Sequence, residues 1–250
     1  MTRPPKYVGV SGITTPEQAQ AILDMWPGSA PPQSLMLGVL TSEKVQRGGE
    51  RNPRSPAPED IHRIWPADPR ALNLVHYFTK DSSTLAEQIL RVVGHPCDLC
   101  DGVQINVPWP PPEQIVEFLK WAPKLIRVVL QVGPKMLADY HHTVVAELIE
   151  REYRGLITDV LIDVSAGNGV SIDPAWAREI VEAFRAWNPD LGIGIAGRLC
   201  AMTLHGVADL VREYGLSTDT ETAVRNDRDE FDLNAARAYL QVAAEIHGWR

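Results

Sequence analysis

The chain alternates short apolar runs with longer segments of helical periodicity, and this alternation constrains its fold more than any other feature. Most of the runs are rich in valine, leucine and isoleucine, which is typical of strands buried on both faces. The predicted strands are Tyr7–Val10, Ser34–Leu40, Ala71–Phe78, Gly102–Val107, Leu125–Val132, the run that carries Asp163, Leu191–Ala196 and Leu216–Thr218.

A helix is predicted after each strand. Thr15 suits an N-cap, and Pro16 suits the first helical position after it. The predicted helices are Ala19–Met25, a short one from Pro58 to near Trp65, Ser82–Val93, Gln114–Ala122, His142–Tyr153, Pro174–Trp187, Leu204–Tyr214 and Asp232–Ile246. Eight strand–helix units in 250 residues predict an α/β protein, a single (β/α)8 TIM barrel over residues 1–250. An open doubly wound sheet is the alternative, but no GxGxxG follows any predicted strand.

Composition and charge narrow the classes of partner. The chain is 44% hydrophobic and 22% charged, as is typical of a soluble globular protein. Its net charge of −8 and lack of a long basic run argue against nucleic acid or an anionic membrane as partner. No apolar stretch has the length of a membrane span, and the N-terminal segment lacks an apolar signal core. We therefore expect a cytoplasmic protein, either a monomer or a homodimer.

The cysteines give a weak signal for a metal. Cys97 and Cys100 form a CxxC, but a zinc site would need a second pair, and Cys200 supplies only one further thiol. We expect reduced, structural thiols, no metal and no cofactor. A redox or metal role for the CxxC is the alternative.

Asp163 is the first candidate for a functional residue. It ends an apolar strand, and a buried carboxylate there needs a partner or shifts its pKa. The glycines at positions 167 and 169 predict a loop before the next helix. Active sites of (β/α)8 barrels lie at the C-terminal strand ends and in the loops that follow. Capping or pairing with a neighbour is the structural alternative for Asp163.

The same rule gathers other polar residues at the strand ends. They are Ser11, a long polar loop at Thr41–Ala57 that carries Arg54, then His76, Tyr77, Gln104, Asn106, Gln131, Arg198 and Asp219. An acid, several amides and an arginine fit a small polar or anionic ligand. Alternatively, many of these side chains only fill layers inside the barrel, and His76 is then a packed histidine.

Six short motifs occur in order along the predicted barrel. They are Gly9-Val10-Ser11-Gly12-Ile13-Thr14, Asn52-Pro53-Arg54, Val103-Gln104-Ile105-Asn106, Leu161-Ile162-Asp163, Gly197-Arg198-Leu199 and Ser217 to Thr222. In order and spacing they resemble K-I-C-G-I-T, S-P-R, V-Q-L-H, L-L-D, G-G-L and S-S-G-V-E-T of the phosphoribosylanthranilate isomerase family of tryptophan biosynthesis.

The resemblance implies an Amadori-type isomerisation of an aldose to a ketose on a small anionic substrate. In that reaction an acid opens the sugar ring and a base removes a proton from C2′. By resemblance Asp163 matches the acid, Ser11 stands at the position of the base, and Arg54 matches the residue that holds a substrate carboxylate. The remaining candidates for substrate binding are Gln104, Asn106, Gly197, Arg198 and Asp219.

The chain also departs from the family pattern. The family's cysteine base is Ser11, whose hydroxyl needs an activating partner, and the lysine two residues earlier is Gly9. Arg198 replaces a phosphate-loop glycine, and Asp219 places a negative charge there unless Arg198 pairs with it. Two hypotheses therefore stay open: an isomerase or related acid/base enzyme that uses Asp163, and a diverged barrel that binds a ligand or a partner without catalysis.

Overall fold

The computed structural model of the protein describes residues 3–93, 99–122, 126–164 and 172–249. Its parallel strands close into one barrel in sequence order, with the last strand paired to the first. The strands are β1 Val8–Ser11, β2 Leu35–Ser42, β3 Ala71–Phe78, β4 Gly102–Ile105, β5 Arg127–Val132, β6 Asp159–Asp163, β7 Gly192–Ala196 and β8 Ser217–Thr220. This arrangement confirms the predicted single (β/α)8 TIM barrel.

Helices connect the strands. They are α1 Pro16–Met25, α2 Glu43–Gln46, α3 Ile61–Ile64, α4 Leu85–Val93, α5 Pro112–Trp121, α6 Pro134–Asp139, α7 His142–Tyr153, α8 Pro174–Trp187, α9 Ala201–Leu204, α10 Ala208–Tyr214 and α11 Leu233–His247. The predicted cap of α1 is confirmed, because the Thr15 side chain accepts from the backbone N–H of Gln18. No helix in the described ranges is long and apolar enough to cross a membrane.

Sequence and structure agree closely for some elements and differ for others. The bounds of β3, α7 and α8 are those predicted, whereas α6 was not predicted. The prediction of a continuous loop at Thr41–Ala57 is wrong for its first residues. Its first residues extend β2 to Ser42, which pairs with Phe78, and the Ser42 side chain then caps α2. Sheet pairing and a local cap thus order the start of a segment that is polar in sequence.

The barrel interior and the layer between strands and helices are separate hydrophobic clusters. The interior cluster contains Met36, Leu72, Leu74, Val129 and Leu161, with Tyr7 and Ala196. Their neighbours along the same strands belong to the outer cluster, as the two-residue period of a strand requires. The same alternation turns inward the last side chains of β1 and β6, Ser11 and Asp163, and the next-to-last side chain of β4, Gln104.

A buried ion pair closes the opposite end of the barrel. Arg127 at the start of β5 donates from Nε and Nη2 to the two carboxylate oxygens of Asp159 at 2.9 and 2.7 Å. Its guanidinium also donates to the carbonyl of Pro5 at 2.8 Å and lies 4.9 Å from the ring centre of Tyr7. Both charged side chains are almost fully buried, so each depends on the other for compensation.

We expect Arg127→Ala to lower the free energy of unfolding by about 3–5 kcal/mol, because it leaves the carboxylate of Asp159 buried without its cation. Urea-induced unfolding measures the loss. The matched control is Lys120→Ala, which removes an exposed pair with Glu117 and should cost about 0–1 kcal/mol. Equal losses in the two variants would show that the buried pair does not stabilise the barrel.

Candidate functional site

A small cavity lies at the C-terminal mouth of the barrel and collects most of the predicted site residues. Its volume is about 40 Å³, enough for one or two water molecules. We call it the mouth cavity. It is lined by Gln104, Asn106, Gln131, Leu161, Asp163, Ala196, Gly197, Arg198, Asp219, Glu221 and Thr222. Side chains from strands β4 to β8 and the loops after them therefore meet at one point, as the barrel geometry predicts.

Asp163 is the last residue of β6 and is 7% exposed. Its Oδ2 accepts a hydrogen bond from Nε2 of Gln131 at 2.6 Å, which fixes the carboxyl from the side of β5. Asp163 also lines the mouth cavity. The placement of Asp163 in the mouth of the barrel is therefore as predicted.

Asp219 and Ser11 form a buried pair on the other side of the mouth. The Ser11 hydroxyl donates to Oδ1 and Oδ2 of Asp219 at 2.8 and 3.1 Å, and both residues are buried. Gly9 lies opposite Asp219 in the sheet, and a Cβ on Gly9 would lie 2.6 Å from Oδ1 of Asp219. The missing side chain of Gly9 therefore creates the space that the carboxyl occupies.

The surroundings of Asp219 favour its protonated form. Burial raises the pKa of its carboxyl well above the ordinary value, and the charges of Glu221 and Asp163 raise it further. Hydrogen bonds from Ser11 and from the backbone of Thr220 act in the opposite direction, by stabilising the carboxylate. Burial is the largest of these effects and the pKa is raised on balance, so Asp219 keeps its proton at a higher pH than an ordinary aspartate.

Arg198 does not neutralise Asp219. No ion pair of Arg198 is found within the described ranges, and its side chain is exposed. Gly197 has φ +124° and Arg198 has φ +50°, and the Arg198 carbonyl accepts from the Thr203 hydroxyl at 2.8 Å. This left-handed turn places the guanidinium at the rim of the mouth cavity, where a ligand anion could reach it.

Two buried polar atoms near the mouth have no hydrogen-bond partner among the described residues. They are Oε1 of Gln104 and Nε2 of His76, and Nε2 of Gln104 donates to Oδ1 of Asn106 at 2.9 Å. Burial lowers the pKa of His76 to about 3, so its ring is neutral. A Cβ on Gly38 would lie 2.6 Å from Oγ of Ser11 and 2.8 Å from Nε2 of His76, so these two polar atoms face the same small space.

A larger cavity of about 630 Å³ adjoins the mouth on the side of β2 and β3. We call it the β2-side cavity. Its floor includes His76, and it shares Asn106 with the mouth cavity. Lys44 and Arg51 line it, with Asn52 and Ser55 from the segment after α2. Glu50 lines it as well and pairs with Lys44 at 3.7 Å, so the charged side chains of this cavity are two cations and one carboxylate.

Arg54 lines neither the mouth cavity nor the β2-side cavity. Its guanidinium pairs with Glu221 at 2.7 Å and with Asp229 at 2.8 Å, and it donates to the Thr222 hydroxyl at 3.3 Å. These contacts tie the segment after β2 to the segment after β8. The resemblance implies that Arg54 holds a substrate carboxylate. In this structure its guanidinium is paired instead with the carboxylates of Glu221 and Asp229.

Two residues that line the mouth cavity were not predicted as site residues, and some predicted features fall outside the described ranges. Glu221 and Thr222 line the mouth cavity and were not singled out, although they stand in the motif from Ser217 to Thr222. Cys97 of the CxxC and the predicted loop glycines at 167 and 169 lie outside the described residues, whereas Cys100 is buried. Within the described ranges no group of three or more His, Cys, Asp or Glu side chains could hold a metal ion.

Comparison with known proteins finds solved structures of similar fold. The chain matches no protein-family model, and no curated protein matches its sequence. The fold resembles phosphoribosylanthranilate isomerase from Thermus thermophilus, with a TM-score of 0.66 and 19% identity over 96% of this chain and 99% of that one. The corresponding isomerase from Pyrococcus furiosus gives a TM-score of 0.63 and 16% identity over 96% and 99% of the two chains.

A TrpF structure from Jonesia denitrificans gives a TM-score of 0.62 and 16% identity, over 98% of this chain and all of that one. The chain thus folds as a barrel that resembles these isomerases along nearly its whole length. This similarity confirms the sequence-based resemblance at the level of the fold, and identities of this size do not by themselves carry the activity over.

We expect Asp219→Asn to remove a pH dependence of stability. A carboxyl whose pKa is raised by folding contributes stability that is fully present below its unfolded pKa of about 3.9 and is lost as pH rises through the folded pKa. Relative to Asp219→Asn, the wild-type protein should therefore lose stability as pH rises from about 4, until Asp219 is ionised. Urea unfolding of both proteins at a series of pH values measures this difference. A wild-type protein that gains stability relative to Asp219→Asn over this range would contradict the assigned environment.

We expect Arg54→Ala to release the segment at residues 47–57, because it removes the contacts to Glu221 and Asp229. Backbone amide hydrogen exchange in this segment should become severalfold faster, while exchange in β2 and β3 stays unchanged. Arg51→Ala is the matched control, since Arg51 lies in the same segment and its side chain is exposed. Identical exchange in the two variants would show that the Arg54 ion pairs do not hold the segment.

Proposed function

We propose that this protein is an acid/base enzyme that isomerises a small anionic sugar derivative, in the manner of an aldose–ketose isomerase, at the mouth of its barrel. Asp163 is the residue proposed to carry the proton transfer. The other proposed ligand contacts are Gln104, Asn106, Gly197, Arg198 and Asp219.

One observation carries the proposal: Asp163 lies at the C-terminal end of a barrel strand, buried, oriented by Gln131, and facing a cavity shared with a second carboxyl. Two carboxyls whose environments differ can divide the roles of acid and base between them.

The charge distribution supports an anionic ligand. Arg51 lines the β2-side cavity, where Lys44 is paired with Glu50, and Arg198 stands at the opposite rim of the mouth. A ligand with an acidic group at either end could place that group against a cation and its hydroxyl groups against Gln104 and Asn106. The mouth cavity of about 40 Å³ admits only a few ligand atoms, whereas the β2-side cavity of about 630 Å³ can hold the rest of a sugar-sized molecule.

The family's own substrate fits this site poorly. Arg54 is held by Glu221 and Asp229, and the Ser11 proton is directed to Asp219, so neither residue is placed for the role that the resemblance implies. These contacts favour a related reaction on another sugar or carboxylate substrate. They also favour the second candidate, a barrel that binds a ligand without catalysis, because both contacts close off positions that a catalytic site would expose.

Exchange of substrate hydrogen with D2O tests the enzymatic proposal. The probes are ribose 5-phosphate, glucose 6-phosphate and N-(5′-phosphoribosyl)anthranilate, and deuterium at the carbon next to the carbonyl is followed by NMR. We expect exchange with a sugar phosphate and little with the anthranilate compound. Asp163→Asn should slow the exchange by about 10²–10⁴-fold, the contribution of a positioned acid or base.

Asp190→Asn is the control, because Asp190 is exposed and lies after α8, away from the barrel mouth. It should exchange hydrogen at the wild-type rate. If the wild-type protein exchanges none of the three probes but binds a sugar phosphate in calorimetry, the non-catalytic candidate is correct and the enzymatic proposal is not. Equal exchange by wild type and Asp163→Asn would remove Asp163 from the reaction.

A further inference from the structure

We propose that Asp219, rather than Ser11, is the second catalytic residue of this site, and that it acts as the proton donor to the substrate oxygen while Asp163 accepts the proton from carbon. This inference rests on the proposed function. It concerns a residue that the resemblance assigns only to substrate binding, and it reverses the acid role that the resemblance implies for Asp163.

The geometry excludes Ser11 as the acceptor and points to its neighbour. The Ser11 hydroxyl has one proton, which it donates to Asp219 at 2.8 Å. A serine hydroxyl acts as a base only when another group first removes that proton, and the adjacent carboxyl is already a far better proton carrier. Asp219 also lines the mouth cavity, whereas Ser11 does not. Ser11 is therefore a positioning residue that orients the Asp219 carboxyl.

Gly9 and Ser11 of β1 determine where the Asp219 carboxyl lies. The carboxyl occupies the space over Gly9, whose Cβ would clash with it, and Gly9 and Asp219 are partners in the sheet. Ser11 holds the same carboxyl from the next inward-facing position of β1. Gly9 and Ser11 of β1 and Asp219 of β8 thus form a single contact. All three are positions at which the chain differs from the family motifs that it resembles.

The titratable groups that interact electrostatically with Asp219 are Asp163, Glu221, Tyr7 and Tyr239. Each of them is neutral when protonated and negative when deprotonated, so none supplies a positive charge. The phenol pKa values of Tyr7 and Tyr239 are raised by burial, so these two groups are neutral. Within the described ranges no cation pairs with Asp219. Burial among these groups keeps the proton on Asp219, which assigns it the donor role, and Asp163, which accepts an N–H from Gln131 at 2.6 Å, is assigned the acceptor role.

The proposed step balances within the site. Asp163 takes the proton from C2 of an open-chain aldose, the C–H electron pair forms the C1–C2 double bond, and the carbonyl oxygen takes the proton of Asp219. This gives an enediol with the proton now on Asp163. In the second half, Asp219 takes the proton of the C2 hydroxyl, the C2 carbonyl forms, and Asp163 returns its proton to C1. The ketose leaves and both carboxyls regain their starting states.

Three variants separate the roles in the D2O exchange of ribose 5-phosphate and glucose 6-phosphate. We expect Asp219→Asn to slow exchange by about 10²–10⁴-fold, as Asp163→Asn does, because each removes one of the two proton carriers. Ser11→Ala should reduce it by less than about tenfold. Melting temperatures check that each variant is folded, and Asp190→Asn again serves as control.

The pH dependence provides a second readout that a merely structural role would not change. Exchange by the wild-type protein should fall as pH rises through the pKa of Asp219, since the donor then lacks its proton. Ser11→Ala should move this alkaline limb to higher pH, because the Ser11 hydrogen bond stabilises the carboxylate. If Asp219→Asn does not fold, the pH profiles of the wild-type protein and Ser11→Ala still test the role of Asp219.

The outcomes distinguish this inference from the proposed function. Exchange that is lost in Asp163→Asn but kept in Asp219→Asn leaves the proposed function standing and overturns the role of Asp219. A Ser11→Ala loss as deep as that of Asp219→Asn, or an alkaline limb that Ser11→Ala does not move, overturns it as well. If the wild-type protein exchanges neither sugar phosphate, the proposed function and the role of Asp219 both fail.

Discussion

The pairing of β8 with β1 is the constraint on which the site depends. It closes the barrel in the register Val8–Thr218, Gly9–Asp219 and Val10–Thr220. A closed parallel sheet has no edge, so the side chains at its C-terminal end must converge on one space. In this register the carboxyl of Asp219 lies over Gly9 and beside the hydroxyl of Ser11. A shift of one residue would turn Asp219 out of the barrel and separate all three.

The three positions in this contact are also positions at which the chain departs from the motifs it resembles. Gly9 stands where the motif has lysine, Ser11 where it has cysteine and Asp219 where it has glycine. Each difference alone weakens the expectation of the isomerase activity that the resemblance implies. Together they form one arrangement, in which the glycine provides space, the aspartate fills it and the serine orients the aspartate. The acid/base role proposed for Asp219 depends on this arrangement.

The sequence predicts the parts of the protein that depend on local pattern. Apolar runs and helix caps located β3, α7 and α8, and the rule of strand ends located Asp163 and Gln104. Contacts between distant loops could not be predicted in this way. Arg54 meets Glu221 and Asp229 across 167 and 175 residues, and Ser11 meets Asp219 across 208. Such pairs depend on barrel closure and on the conformation of loops, which leave no periodic signal in the sequence.

The most direct test of the central claim is the titration of the Asp219 carboxyl, observed by ¹³C NMR in protein labelled at aspartate and assigned from the resonance missing in Asp219→Asn. We expect a pKa clearly above the ordinary aspartate value of about 3.9, and a fall toward that value in Asp163→Asn, where a nearby negative charge is removed. A carboxyl that titrates at or below the ordinary value, and is indifferent to Asp163→Asn, would contradict a proton resting on Asp219.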